Sequence, residues 1–175
     1  MPSRILVYGV TGAGKTTLAR RISAVTGIPW YSVDDLTWEP DWVPVPEDEQ
    51  RHRIEAICAT ENWILDTAYG EWLDLPLARV ELIVALDFPR WVSLSRLIRR
   101  TVVRAIDGRE MCNGNRESFR HMVSPDSIVV WHFKSFSRKR RRIRGWETDP
   151  TAPETVRLVS PKEVERWLLR AALLA

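Results

Sequence analysis

A glycine-rich stretch near the start of the chain leads directly into a lysine and two threonines. Residues 9–16, GVTGAGKT, match the pattern G-x-x-x-x-G-K-[S/T] at each of its fixed positions. A short apolar run precedes the stretch, and apolar residues at helical spacing follow it. The pattern therefore predicts a turn between a strand and a helix. Such a turn directs backbone N–H groups and the positive end of a helix dipole at one point, which suits a bound phosphate.

These residue types predict a nucleotide-binding site. Glycines permit the close approach of a phosphate, Lys15 would reach its outer oxygens, and the Thr16 hydroxyl would ligate Mg²⁺. A dinucleotide-binding fingerprint of the Rossmann type is excluded, because Thr17 stands where its third glycine is required. The predicted nucleotide-binding residues are Gly9, Thr11, Gly12, Ala13, Gly14, Lys15, Thr16 and Thr17.

The composition is typical of a globular protein of one domain. The chain has 175 residues, of which 45% are hydrophobic, and its formal net charge is +3. Its two cysteines, Cys58 and Cys112, have no metal-binding spacing and suggest no disulfide framework. There is no signal-peptide pattern, and no apolar run reaches the length of a membrane span. We therefore expect a single domain over residues 1–175, in the cytoplasm, without a membrane partner.

The hydrophobic pattern alternates between strands and helices. Apolar runs predict five strands, over residues 5–9, 28–35, 62–66, 80–87 and 155–160. Helical spacing predicts helices over residues 15–26, 47–60, 90–105, 124–139 and 161–174. A Pro- and Trp-rich loop is expected near residues 36–46. The alternation predicts an α/β fold in three layers, with a parallel sheet between helices and with ligands beyond the carboxyl ends of its strands.

Four aspartates stand at the ends of predicted strands, near the start of the glycine-rich turn. Phosphoryl transfer needs a carboxylate that holds Mg²⁺ and often another that orients the attacking hydroxyl. We expect Asp66 to serve the metal and Asp35 to be catalytic, with Asp34 as the alternative, because adjacent strand residues face opposite sides. For Asp87 we expect only the common role of a turn former or helix cap.

Arginines form a second group of candidates. Arg96, Arg100 and Arg104 are four residues apart and would form one stripe on a helix, which suits either phosphates or a solvated basic face. The polar, Gly-containing segment that follows contains Arg109 and Arg116, and it predicts a lid near residues 104–119. The predicted catalytic residues are Lys15, Asp35, Asp66, Arg100, Arg104, Arg109 and Arg116, and the predicted substrate-binding residues are Asp34, Asp35, Trp38 and Trp42.

A run of six cations lies within residues 138–144. Such a run binds nucleic acid electrostatically in some proteins, but it lacks the interleaved aromatic residues of a platform for single strands. A solvated helix end, where the dipole favours cations, is the expectation that we prefer.

With these residues in place, the chain resembles a P-loop kinase of the adenylate kinase–shikimate kinase type. More narrowly, it is similar to the small bacterial DNA topology modulation proteins over about residues 4–145, through GVTGAGKTTLAR, SVDDLTWEPDW, NWILDTAY, VALDFPRWVSLSRLIRR and NGNRESF. It departs from that group at Asp66-Thr67, where the group has Asp-Gly. The resemblance implies a five-stranded parallel sheet of order 2-3-1-4-5, ATP with Mg²⁺, and an arginine-bearing lid.

Two functions of different classes follow from these features. The first is an ATP-dependent phosphotransferase for a small-molecule acceptor, which would sit between the acids, the Trp38–Trp42 loop and the lid. The second is a regulatory nucleotide-binding module that contacts nucleic acid through residues 138–144. A GTPase is a weaker third, because no lysine stands in the Asn-Lys-x-Asp context that reads guanine. Neither the acceptor nor the oligomeric state follows from the sequence.

Overall fold

A five-stranded parallel sheet forms the centre of the protein. The computed structural model describes residues 2–107, 110–111, 113–116 and 127–173. The strands of the sheet are β1 (Arg4–Gly9), β2 (Trp30–Tyr31), β5 (Trp63–Leu65), β6 (Leu82–Leu86) and β9 (Glu154–Leu158), in the order β2-β5-β1-β6-β9. Counted among themselves along the chain, these strands follow the predicted order 2-3-1-4-5. The predicted fold class is therefore confirmed.

Helices connect the strands and flank the sheet. They are α1 (Lys15–Thr26), α2 (Val33–Thr37), α3 (Glu47–Ala59), α4 (Asp74–Leu77), α5 (Arg90–Asp107), α6 (Ile128–Thr148) and α7 (Pro161–Ala172). Helix α1 ends at Gly27, whose φ of 73° is left-handed and suits glycine. Helix α7 begins at Ser160, whose hydroxyl accepts a hydrogen bond from the Glu163 N–H at 3.3 Å.

The sheet separates two apolar cores, as a three-layer fold requires. Successive residues of β1 alternate between them: Ile5 and Val7 belong to one core, and Leu6 and Tyr8 to the other. Helices α1 and α7 pack on the first core through residues such as Leu18 and Leu168. Helix α3 packs on the second through Ile54 and Cys58. Because both faces of β1 are buried, its sequence is continuously apolar rather than alternating.

The second predicted strand is shorter than the sequence suggested. Strand β2 covers only Trp30–Tyr31, so Asp34 and Asp35 do not end a strand. They lie in the first turn of α2, where the Ser32 hydroxyl accepts a hydrogen bond from the Asp35 N–H at 3.4 Å. Acidic residues are favoured in the first turn of a helix by its dipole, and a serine cap starts the helix here.

Two small antiparallel ribbons were not predicted. In the first, β3 (Trp38–Glu39) pairs with β4 (Val43–Pro44) around a 3₁₀ turn at Pro40–Trp42, so the expected loop near residues 36–46 is partly regular. In the second, β7 (Glu110–Met111) pairs with β8 (Asn115–Arg116). Helix α5 extends to Asp107 and includes the start of the predicted lid. Residues 108, 109, 112 and 117–119 of that lid lie outside the described residues, and the lid stays a prediction.

Helix α6 is longer than predicted and differs in its bounds. It covers Ile128–Thr148 rather than residues 124–139, and residues 124–126 lie outside the described part of the chain. The basic run at residues 138–144 is thus within the second half of α6, and its prediction as a helix end is wrong. Among the described residues, no helix combines the length and apolar character needed to cross a membrane. The cytoplasmic location remains a prediction.

Candidate active site

A cavity of about 830 Å³ lies at the carboxyl ends of the parallel strands. Its wall is built from the turn after β1, the start of α1, helix α2, the segment after β5, and one side each of α5, α6 and α7. Of the predicted nucleotide-binding residues, all except Gly9 line it, and Gly9 is the last residue of β1. The position agrees with the rule that ligands of parallel α/β folds bind beyond the carboxyl ends of the strands.

The turn at residues 9–16, here called the phosphate loop, needs glycine at two positions. Gly12 has a φ of 80° and Gly14 a φ of 97°, both in the left-handed region. A Cβ on Gly12 would lie 2.3 Å from the backbone oxygen of Ser93 in α5. A Cβ on Gly14 would have no atom nearer than 3.8 Å, the guanidinium of Arg96. Gly12 is therefore required by close packing on α5 as well as by its backbone angle, and Gly14 by its backbone angle alone.

Side chains from α5 and α6 donate hydrogen bonds to carbonyl groups of the phosphate loop. The Thr11 oxygen accepts from the Nδ1 of His132 at 3.0 Å, the Ala13 oxygen from Arg96 at 3.4 Å, and the Gly9 oxygen from the Nζ of Lys139 at 3.4 Å. Burial lowers the pKa of His132, which favours the neutral ring with its proton on Nδ1. These contacts support the shape of the loop.

Lys15 lies where the loop meets α1 and faces the cavity. Its Nζ donates to the Val10 oxygen at 3.2 Å. Burial lowers the pKa of Lys15, and the nearby carboxylates of Asp34 and Asp66 oppose that shift. A desolvated cation beside a phosphate-sized turn interacts more strongly with an anion than a solvated one does.

Asp66 and Thr16, the two residues that the sequence suggests for a metal, are joined by a hydrogen bond, and their role with a metal remains a prediction. Asp66 is 3% exposed, and its Oδ1 accepts the N–H of Val33 at 3.0 Å. Burial raises the pKa of Asp66, while a hydrogen bond from Thr16 and the Val33 N–H lower it. The described residues contain no cluster of three or more His, Cys, Asp or Glu side chains that would enclose a metal. A hydroxyl and one carboxylate match the few protein ligands that Mg²⁺ takes when phosphates complete its shell.

Asp34 and Asp35 both line the cavity but differ in their surroundings. Asp34 is half-buried, and its Oδ1 accepts a hydrogen bond from the Tyr69 hydroxyl at 2.7 Å. Burial and the Asp34 charge raise the pKa of Tyr69 well above its ordinary value, so the phenol stays a donor. Asp35 is exposed. On a short helix both acids reach the cavity, which adjacent residues of one strand would not.

Some of the predicted arginines line the cavity, and the side chains of the others are not among those that the structure describes. Arg96, Arg100 and Arg104 line it from one side of α5, which agrees with the predicted stripe. Arg109 lies outside the described residues. Arg116 is in β8, but its side chain is not among those described. Trp38 and Trp42 form an edge-to-face pair, with ring centroids 5.9 Å apart, and the cavity-lining residues of the described chain do not include them.

Lys139 is a cavity-lining residue that the sequence analysis missed. It is 7% exposed, and burial, followed by the charge of Lys15, lowers its pKa to about 7. Lys139 lies within the basic run, which predicts a solvated surface, but the sequence also contains an apolar helical pattern that includes it. His132, Phe136, Lys139 and Ile143 are spaced as one face of a helix, and all four are buried. This face of α6 points inward, so Lys139 belongs to the site rather than to a solvated surface.

Most cations of the basic run contact other residues of the protein, and Asp87 is one of their partners. The side chain of Asp87 is fully buried and pairs with Arg140, with Arg144 at 3.3 Å and with Arg157 at 3.2 Å. It does not line the cavity. Arg142 donates to the Tyr8 hydroxyl at 3.2 Å. The structure thus gives Asp87 a role in anchoring α6 and β9.

Several solved kinases have the same architecture as this chain. A gluconokinase from Sinorhizobium meliloti 1021 matches with a TM-score of 0.55 and 18% identity, over 99% of this chain and 95% of that one. A shikimate kinase from Aquifex aeolicus vf5 matches with a TM-score of 0.53 and 19% identity, over 95% of this chain and 94% of that one. A shikimate kinase from Bacteroides thetaiotaomicron matches with a TM-score of 0.56 and 12% identity, over 99% of this chain and 98% of that one. No protein-family model and no curated protein sequence matches the chain. At these identities the similarity establishes that the chain has the fold of these P-loop kinases.

Proposed function

We propose that the protein is an ATP-dependent phosphotransferase that moves the γ-phosphate of ATP to a small, hydroxyl-bearing acceptor. The observation that carries the proposal is the content of one cavity. The phosphate loop with Lys15 lies on its wall together with two separated carboxylates, Asp66 beside Thr16 and Asp34 beside Tyr69. A phosphotransferase needs these two functions, a nucleotide cradle and an acid for the acceptor, within reach of each other.

The nucleotide half of the proposed site is the phosphate loop and the start of α1. Its backbone would cradle the phosphates, and Lys15 would neutralise charge on the transferred group. Thr16 and Asp66 would hold Mg²⁺, which when bound with ATP neutralises phosphate charge. The residues proposed to bind ATP are Gly9, Thr11, Gly12, Ala13, Gly14, Lys15, Thr16 and Thr17.

The acceptor half of the proposed site lies around α2. The Tyr69 hydroxyl fixes the orientation of the Asp34 carboxylate, which would accept the proton or the hydrogen bond of the attacking hydroxyl. Asp35 is exposed at the cavity and is the second candidate for that role. Trp38 and Trp42 are proposed to border the acceptor from the adjoining ribbon.

Positive charge around the cavity suggests an acceptor that carries an anionic group. Lys139, Arg96, Arg100 and Arg104 supplement Lys15 on its wall. Among the similar structures are a gluconokinase, a sugar kinase and two shikimate kinases. Polyhydroxy acids and sugars are therefore the first acceptors to test.

The narrower similarity to the DNA topology modulation proteins is part of the proposal and rests on the sequence segments named above.

The arginines are proposed to stabilise the charge of the transferred phosphoryl group. Arg100 and Arg104 already line the cavity. Arg109 and Arg116 are proposed to join them as part of a lid near residues 104–119, on the basis of the sequence. The alternative function, contact with nucleic acid through residues 138–144, is the second candidate, and four cations of that run, Lys139, Arg140, Arg142 and Arg144, have contacts within the fold.

A screen for acceptor-dependent release of ADP tests the proposal. The wild-type protein with Mg²⁺-ATP is offered sugars, sugar acids, nucleosides and nucleotides one at a time. We expect one class to raise ADP release well above the background ATPase, and Asp34→Asn to lower that rate by about 100-fold. Asp48→Asn, a matched change of an exposed acid on α3, should leave it unchanged. A screen in which no acceptor exceeds the background contradicts the proposal.

A further inference from the structure

Two asparagine side chains join the hairpin after α5 to the ribbon that follows helix α2. The hairpin is β7–β8, and the ribbon is residues 38–44. The amide nitrogen of Asn113 donates to the carbonyl oxygens of Asp35 and Trp38, at 2.9 and 2.7 Å. The amide nitrogen of Asn115 donates to the Glu39 oxygen at 2.9 Å, and its Oδ1 accepts the Trp42 N–H at 2.6 Å. The bonded residues are 73 to 78 positions apart along the chain.

The ribbon at this point has a backbone that does not form readily by itself. Asp41 and Trp42 have φ angles of 61° and 57°, in the left-handed region that side chains with a Cβ rarely adopt. Such conformations persist only where the surroundings hold them in place, and they cluster at ligand clamps. Asn115 is 2% exposed and binds the N–H of Trp42, so it stabilises the strained turn directly.

A side chain of α3 also contacts the ribbon and the end of α2. Arg53 donates to the Leu36 oxygen at 3.2 Å and pairs with the carboxylate of Glu39 at 3.4 Å. The four hydrogen bonds of Asn113 and Asn115 are here called the clamp. Because Asn113 also binds the carbonyl of Asp35, the clamp extends to the helix that presents the two candidate acids to the cavity.

A simpler role for the asparagines is turn formation. Asn113 has a φ of 62° and precedes Gly114 at 85°, and asparagine and glycine both suit such a turn. Turn formation needs no particular side-chain contact, however, and it does not explain Asn115, which lies in β8. Three side-chain bonds to the main chain of the ribbon, and a fourth to the Asp35 carbonyl in α2, indicate an additional function for this pair.

We propose that Asn113 and Asn115 are positioning residues for the acceptor half of the site. Their carboxamides hold the ribbon and the Asp35 carbonyl in the arrangement that orients the acceptor against Asp34 and Asp35. They do not touch the substrate themselves. The inference rests on the proposed phosphotransferase function, since only an acceptor gives the ribbon something to orient.

The first experiment follows the clamp without using activity. Hydrogen exchange of residues 36–46 is compared in the wild type, Asn115→Ala and Asn113→Gly; glycine keeps the left-handed angle and removes only the carboxamide. We expect exchange in this segment to be about tenfold faster in each variant, because the lost bonds are specific to it. Asn62→Ala, which removes an exposed asparagine before β5, is the matched control and should exchange like the wild type.

The second experiment separates positioning from general destabilisation. Affinity for a fluorescent ATP analogue should stay within about twofold of the wild type, because the hydrogen bonds described for Asn113 and Asn115 reach residues 35–42 and not the phosphate loop. With the acceptor found in the screen, the KM for the acceptor should rise about tenfold while the KM for ATP does not change. Asn115→Asp keeps the oxygen that accepts the Trp42 N–H but not the donor to Glu39, and its effect should be intermediate.

Either of two results overturns the inference. One is wild-type exchange of residues 36–46 in both Asn115→Ala and Asn113→Gly. The other is a loss of ATP-analogue affinity as large as the loss of acceptor affinity, which would indicate a general structural role. Failure of the proposed function gives a different result, because the wild type would then transfer phosphate to no acceptor. The hydrogen-exchange comparison does not use activity and would still test the clamp.

Discussion

Replacing Gly12 with alanine should destabilise the protein through a clash with α5. The new Cβ would lie 2.3 Å from the Ser93 oxygen and 2.9 Å from the Cβ of Leu97. Both contacts are shorter than real Cβ atoms show, and the first is with helix backbone, which cannot rotate away. Gly12 also has a φ of 80°, which alanine adopts only with strain.

The two costs are separate and both have known magnitudes. A left-handed backbone angle costs a residue with a Cβ about 1–2 kcal/mol. Forcing an extra carbon into a packed interior costs about 1–3 kcal/mol more. The expected loss in the free energy of unfolding is therefore about 2–5 kcal/mol, a large fraction of the roughly 5–15 kcal/mol of a typical domain.

Urea denaturation at 25 °C, followed by tryptophan fluorescence, measures this loss. Gly27→Ala is the matched control, because Gly27 has a φ of 73° but no atom within 4 Å of an added Cβ. It should lose only the conformational part, about 1–2 kcal/mol. If Gly12→Ala is no less stable than Gly27→Ala, then α5 does not pack against the phosphate loop as described.

Further predictions concern three buried charged groups. Asp66→Asn should lower phosphoryl transfer by about 100-fold; the free energy of unfolding at pH 7 should not fall, since burial already raises the pKa of this carboxyl. Asp87→Asn should do the opposite, with unchanged kcat and a loss of about 2 kcal/mol in urea denaturation, because three part-exposed arginines each lose an ion-pair partner. Lys139→Met should raise the free energy of unfolding at pH 7 by about 1–4 kcal/mol and impair transfer. Because burial lowers the pKa of Lys139 to about 7 from 10.5, the wild type gains stability as pH rises between these values. The advantage of Lys139→Met should therefore shrink in urea denaturation at pH 10, and an advantage independent of pH would contradict the assignment.

The features that could be predicted from the sequence are those set by local patterns. The phosphate loop follows from fixed spacing between glycines and Lys15, and β1 follows from a short apolar run that is buried on both faces. The order of the strands came from the resemblance to P-loop kinases rather than from the pattern itself. The sheet topology of the structure confirms that order.

In the α2 segment, a sequence pattern that favours a strand competes with one that favours a helix. Residues 28–33 are rich in apolar and aromatic types, which favours a strand extending to Asp35. Ser32 followed three residues later by Asp35 is also a helix-start pattern, and this pattern prevails in the structure. The placement of both acids at the cavity depends on that short helix.

Other features depend on contacts between distant segments and have no local signal. The hydrogen bonds of Asn115 to Glu39 and Trp42 join residues more than 70 positions apart. The burial of Lys139 depends on how α6 crosses the end of the sheet, next to Gly9 and Tyr8. Composition alone suggests the opposite for this lysine, since its neighbours in the sequence are arginines.

The central claim is that the cavity uses the phosphate loop to transfer phosphate from ATP to a small molecule. Phosphorus NMR of a reaction mixture, containing Mg²⁺-ATP and the acceptor panel, detects a new phosphate ester directly. We predict an ester signal with the wild type and with Lys162→Ala, an exposed lysine on α7, and none with a folded Lys15→Ala variant. Inorganic phosphate as the only product of the wild type, or an equal ester signal from Lys15→Ala, would contradict the claim.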